Sequence, residues 1–210
     1  MVTVISYLKE LYKYRELLWV LTSRELKVRY KQTSLGVLWA IIQPLSLMLI
    51  FTMVFSYFTK INSEGLPYPI FSYTALLPWT FFQTAVQFGS MSVVNNSGLV
   101  TKVWFPREIL PLSSLLAALV DFLIAGILLI GLMIFYGTAI TPNIFWILLL
   151  IPLQMVITAG INFLLAASVV IFRDLKFVIP LGLQILFYAT PVIYSINIIP
   201  DRFFKLVLAN

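Results

Sequence analysis

Residues 23–44 read SRELKVRYKQTSLGVLWAIIQP, and the character of the chain changes inside them. From Arg24 to Lys31 five of the eight residues are charged; from Thr33 to Pro44 none is, and the apolar run continues to Phe58. About 20 apolar residues in a helix cross the roughly 30 Å of a bilayer's hydrocarbon. A first span at about 34–58 follows, with a charged segment set directly against it. Working back from that boundary, Leu11, Tyr14, Leu18 and Leu21 share one helical face, with Lys13, Glu16 and Arg24 turned elsewhere. This is the pattern of an amphipathic helix lying in the headgroup plane, and residues 1–33 are assigned to it. Glu25 and Arg29 have i,i+4 spacing for a pair along that helix. Leu26, Val28 and Tyr30 alternate with Lys27, Arg29 and Lys31, a period of two that also suits a strand, so the register of 24–31 stays open. A simple orientation anchor would account for the bases. It would not account for Glu10, Glu16 and Glu25, which gain nothing from anionic lipid; a protein surface that reads both signs would.

Working forward, four further spans follow at about 71–95, 112–136, 144–171 and 177–195, so that 34–195 forms a transmembrane domain of five visible spans. The second is the most polar, with Thr74, Gln83, Thr84, Gln87 and Ser90. Composition agrees: the chain is 61% hydrophobic and 10% charged, where a soluble domain is nearer half and a quarter. The fold class expected is therefore an all-α integral membrane protein. Residues 1–33, 96–111 and 172–176 hold eleven Lys and Arg, against three at Lys60, Arg202 and Lys205, which puts the N-terminus and the loops after spans two and four in the cytoplasm. Bases that flank apolar runs suit lipid headgroups, and no nucleic acid is expected. Five spans leave residues 196–210 on the outer side as an interfacial or re-entrant segment, with a sixth span expected beyond the visible C-terminus. Pro44, Pro78, Pro152, Pro180 and Pro191 fall inside the spans, where neighbouring helices must re-satisfy the backbone.

The chain has no Cys and no His. A disulfide framework, a thiolate or imidazole metal site and a Cys or His catalyst are thereby excluded. No catalytic residue and no metal ligand is assigned. A membrane-embedded glycosyltransferase would need clustered acids or a metal site, and neither is offered. The phosphate-binding pattern G-x-x-x-x-G-K-[ST] is absent: Gly126 and Gly131 have the spacing, but Leu132 follows. Energy must come from a partner or from an ion gradient. The gradient reading rests on Asp121, the one acid inside a span, which pairs locally, sits in water or carries a proton.

Two loops are unlike plain connections. NNSGLVTKVWFPREILPLSS (95–114) sets Val100, Val103, Trp104 and Phe105 beside Arg107-Glu108, framed by Pro106 and Pro111. Aromatics next to a charge pair on a stiffened turn suit docking. IFRDLKF (171–177) repeats the theme with Arg173, Asp174 and Lys176. Together RELKVRYKQTSLGVLWAIIQP, LLPWTFF, NSGLVTKVWFPREILPLSS, FRDLKF and LQILFYATPVIYS resemble, in order and spacing, the membrane subunits of type-2 ABC exporters. The resemblance runs from about residue 8 to 210 and is nearest to bacterial permeases for O-antigen and related envelope polysaccharides. It implies a six-span inner-membrane subunit working as a homodimer, with two copies of a cytoplasmic ATPase that bind the ATP and Mg, this chain holding no cofactor. It implies that Arg24, Glu25, Lys27 and Arg29 of the interface helix meet that ATPase. Lys102, Val103, Trp104, Phe105, Arg107 and Glu108 are the coupling candidates it marks, with Arg173 and Asp174 as a second contact. The cargo implied is a lipid-linked polysaccharide.

Sugar rings have apolar faces that lie on aromatic rings and hydroxyls that meet amides. Phe51, Phe55, Phe58, Gln83, Gln87, Gln184 and Tyr188 are the translocation-path candidates on that ground, against the ordinary alternative of lipid-facing aromatics. The rival functions are a small-molecule or lipid exporter of the same family and an ion-gradient carrier using Asp121.

Overall fold

The computed structural model describes residues 11–31, 33–58, 65–138 and 141–192, the side chains of 56–58 excepted. The predicted outer segment 196–210 and the Phe58 side chain lie outside the described residues. Among those described, the regular structure is helical: α1 (Arg15–Tyr30), a 3₁₀ turn (Gly36–Leu38), α2 (Trp39–Phe51) running on as a π-helix (Thr52–Phe58), α3 (Tyr68–Asn95), the single turn α4 (Ser97–Val100), α5 (Ile109–Phe135), a 3₁₀ turn (Pro142–Trp146) leading into α6 (Ile147–Ile171), and α7 (Leu175–Ala189). The alternation at 24–31 resolves as helix, since α1 continues through Tyr30.

Each predicted span falls on a helix. Gly36–Phe55, Ile109–Phe135 and Pro142–Ile171 are long and apolar enough to cross a bilayer. The helix at the fifth span ends at Ala189, short of 195. Thr190 precedes Pro191, whose ring drives it to extended backbone (φ −85°, ψ 140°). The 15 residues of α7 reach only about 22 Å at 1.5 Å per residue. At the far end of α5, Gly137 takes φ +64° and Thr138 N–H donates to Met133 O at 2.9 Å, a left-handed cap that closes the helix.

The polar second span is the hub. α3 packs against α2, α5, α6 and α7, and three of the four buried clusters draw on it. Tyr73, Leu76, Leu77 and Trp79 join Met48 and Ala125; Phe81 and Ala85 join Leu115 and Ala118; Val86 joins Val169, Ile179 and Leu183. A helix surrounded by protein need not be apolar all round, so Ser72, Ser90 and Ser92 are buried here, each donating to a carbonyl three residues back. Small residues let backbones approach where lipid supplies no hydrophobic drive. α5 presents Ser113, Ser114, Ala117 and Ala118 inward, all fully buried, while Leu123, Ile127, Ile130 and Ile134 stay exposed on its outer face.

The fourth cluster sits at the charged end. Leu21 of α1 packs with Phe105, Ile109 and Leu110, and Leu11, Tyr14, Leu17 and Leu18 pack around them. The apolar face of the amphipathic helix is thus covered by this chain's own loop and by the start of α5, in addition to whatever lipid surrounds it.

Candidate functional site

Three polar links fasten α1 to the bundle. Arg29 Nη1 forms an ion pair with Asp121 Oδ2 of α5, and Tyr30 O–H donates to the other carboxylate oxygen at 2.7 Å. Ser114 Oγ, also on α5, donates to Glu25 Oε1 at 3.2 Å. Arg24 Nη2 donates to Asn96 Oδ1 at the end of α3, and Asn96 Nδ2 is itself held by Ser92 O at 2.8 Å. The i,i+4 pair predicted between Glu25 and Arg29 does not form. Each reaches sideways to a buried partner on α5, where desolvation strengthens a bond that solvent would weaken along the helix.

Arg29 and Asp121 side chains are 13% and 15% exposed, and the guanidinium also lies 4.2 Å over the Phe88 ring. Burial, then the hydrogen bond to Asp121 and its charge, push the Tyr30 phenol up, with Arg29 opposing less strongly. The sequence singled out Asp121 but not its partners. An acid one-third of the way into a span needs a base within reach, but Arg107 is nearer along the chain than Arg29, so spacing in sequence does not point to the partner.

After α4 the loop 101–108 splits its side chains between two jobs. Phe105 is 6% exposed and anchors the loop in the α1 cluster. Trp104 is 76% exposed and Val103 54%; the Trp104 ring meets the Tyr14 ring edge-on, centroids 6.4 Å apart. Lys102 and Arg107 are exposed beside them and Glu108 is half-buried. Arg173 and Asp174 are exposed in the turn between α6 and α7, and Lys27 is exposed on α1. Among the described residues, no group of three His, Cys, Asp or Glu converges on a metal-sized site.

The path candidates separate. Phe51 packs on Phe55 and on Phe187 of α7, both at 6.1 Å, and Phe55 meets Tyr68 at 6.3 Å. These rings, with Trp79, build the core distant from α1. Gln83 accepts from Trp79 Nε1 at 3.0 Å. Gln184 and Tyr188 are exposed on α7. Gln87, one turn beyond Gln83, opens instead into a cavity of ≈ 440 Å³ beside the Arg29–Asp121 pair. Sequence reading also missed a contact between α3 and α6: the Asn162 amide lies so close to Gly89 that a methyl group there would sit 2.5 Å from Nδ2. Both polar atoms of that amide are buried without a partner among the described residues.

Apolar helices around a polar hub, with exposed aromatic and charged side chains gathered in a loop beyond them, define a multi-pass helical membrane protein. Residues 16–210 match the family model described as ABC-2 type transporter, and the chain belongs to that family. It is 35% identical over 200 residues to the O-antigen export system permease protein RfbA of Myxococcus xanthus, covering 95% of this chain and 76% of that one. To the protein of the same name in Klebsiella pneumoniae it is 31% identical, over 93% of this chain and 75% of the relative. The polysialic acid transport protein KpsM of Escherichia coli is 25% identical over 89% and 73%.

Proposed function

We propose that this chain is the permease subunit of an ATP-driven exporter that moves a lipid-linked polysaccharide across the inner membrane. The observation that carries the reading is the loop 101–108. Its buried Phe105 holds the backbone to the bundle while Trp104 and Val103 point away from it. Large apolar side chains set beside Lys102 and Arg107, beyond the apolar spans, suit a protein partner better than water or lipid tails. A separate ATPase subunit docked there, and against Arg173 and Asp174, supplies the energy that no motif in this sequence can. The names of the relatives support polysaccharide as the cargo.

The N-terminus and loops 96–111 and 172–176 face the cytoplasm, on the distribution of Lys and Arg. Two copies assemble around the path, with α7 contributing the exposed Gln184 and Tyr188. When ATP closes the ATPase pair, the loop pushes on Phe105 and hence on α1 and α5 together, because the same cluster and two of the polar links, Arg29–Asp121 and Glu25–Ser114, join them. The ion-gradient alternative rests on Asp121, whose two oxygens are already engaged by Arg29 and Tyr30.

The test is co-purification of the subunit from native membranes followed by an ATPase assay, in wild type and in Trp104→Ala/Arg107→Ala. A nucleotide-hydrolysing subunit that co-elutes with wild type and is lost from the double variant supports the reading. Elution alone, with wild type and variant behaving alike, overturns it.

A further inference from the structure

The ≈ 440 Å³ cavity is bounded by the end of α1, the start of α2 and the middles of α3 and α5. Its size falls within the roughly 300–1,000 Å³ usual for small-molecule sites. Its wall has an unusual balance. Arg29 and Asp121 both contribute to it, and because they pair with one another the wall has no net charge. An anion entering it would meet the carboxylate as well as the guanidinium. Tyr30, Thr33 and Thr80 in the wall are hydrogen-bonded within the chain, but three neutral polar groups are uncommitted: among the described residues the side chains of Gln43, Thr84 and Gln87 have no protein partner. Pro44, also in the wall, has no N–H for the carbonyl of Ala40 one turn back, and Ala40 lines the same cavity. Gln43 and Gln87 are both exposed, so their amides are open to a ligand that enters the cavity. Trp39, half-exposed at the rim, offers a ring face.

Groups that both donate and accept, an extra carbonyl acceptor, an aromatic face and zero net charge are together complementary to an uncharged polyhydroxylated ring. We infer that this cavity takes one neutral sugar unit of a membrane-attached glycan, with Gln43 and Gln87 bonding its hydroxyls and Trp39 lying against its C–H face. The inference rests on the export reading and deepens it by adding a sugar subsite inside the subunit, next to α1, apart from the Phe51–Phe55–Phe187 aromatic cluster.

The test uses the full-length subunit with whatever partner co-purifies, extracted in an amine-oxide detergent to keep sugar detergents away and placed in nanodiscs. The probe is an alkyl glucoside with a photoreactive group on its sugar, and cross-links are mapped by mass spectrometry. Labelling of 39–44 and 80–88 that octyl glucoside competes away and octyl phosphate does not is the expected result. Gln43→Leu/Gln87→Leu, with an unchanged melting midpoint, should lower that labelling about tenfold, the effect of losing two neutral hydrogen bonds to the sugar. Equal competition by octyl phosphate overturns the inference in favour of a lipid-phosphate site. Labelling spread evenly over the exposed face of α6 overturns it in favour of simple partition, and labelling indifferent to the double substitution overturns it as well. Co-elution of the ATPase is scored on the same sample. Competed labelling without a partner therefore sustains the cavity and sinks the exporter, while a partner without labelling does the reverse.

Discussion

Asp121 shows how far one side chain can be read from its neighbours in the chain. An acid inside a span has three ordinary fates, and only the fold selects among them; here a guanidinium and a phenol converge on it from α1. Asp121→Asn leaves Arg29 buried without its counter-charge, and losing one member of a buried pair costs about 3–5 kcal/mol. Thermal unfolding in detergent should show that loss, and Arg29→Met/Asp121→Leu should recover most of it. If the double variant is stable yet transport stays abolished, Asp121 has a role beyond pairing and the gradient-driven reading returns. Tyr30 gives a pH signature. Its folded-state pKa is raised, so its contribution to stability is complete below the ordinary phenol value of about 10 and fades as pH climbs through the folded value. Subtracting the tyrosinate absorption of Tyr30→Phe from that of wild type, about one unit above that ordinary value, should leave no signal from Tyr30. Gly89→Ala should destabilise the α3–α6 contact by forcing the Asn162 amide aside, and Gly89→Ala/Asn162→Ala should restore the melting midpoint.

At the scale of elements, the helices were legible from long apolar runs, and three of those described are long and apolar enough to cross a bilayer. α3 was legible as a helix but not as the hub. Its polarity gave the clue, since a helix that meets protein on most sides is freed from the demand to be apolar, but a single sequence cannot say which helices surround it. The loop 101–108 was legible as a docking element and illegible in its division of labour: Val103, Trp104 and Phe105 look equivalent in sequence, and only the packing turns one in and two out. Phe105→Ala should therefore behave as a core substitution, lowering stability by about 3–5 kcal/mol, whereas Trp104→Ala should leave the melting midpoint in place and lower recovery of the ATPase partner. The Glu25–Arg29 pair was misread for a general reason. The i,i+4 rule describes a helix alone in water, and α1 lies against α5.

For the whole molecule, sidedness is the feature the fold cannot supply and the charge distribution can. The chain has no native cysteine, so single introduced thiols report cleanly. Lys102→Cys and Arg173→Cys should react with an impermeant maleimide only in inside-out vesicles, and Asn143→Cys, exposed in the turn before α6, only in right-side-out ones; the reverse pattern would invert the orientation. The links from Arg24, Glu25 and Arg29 to Asn96, Ser114 and Asp121 also make a statement about exchangeability. These residues stand between 72 and 92 positions apart, yet each bond needs both ends, so α1 cannot be traded between relatives as a detachable cassette. A chimera that imports a foreign α1 alone should express poorly, and one that imports the matching α3 terminus and α5 with it should recover. Substitutions at the two ends of each bond would have to travel together, so the natural unit of recombination in this subunit is a set of contacts rather than a stretch of chain.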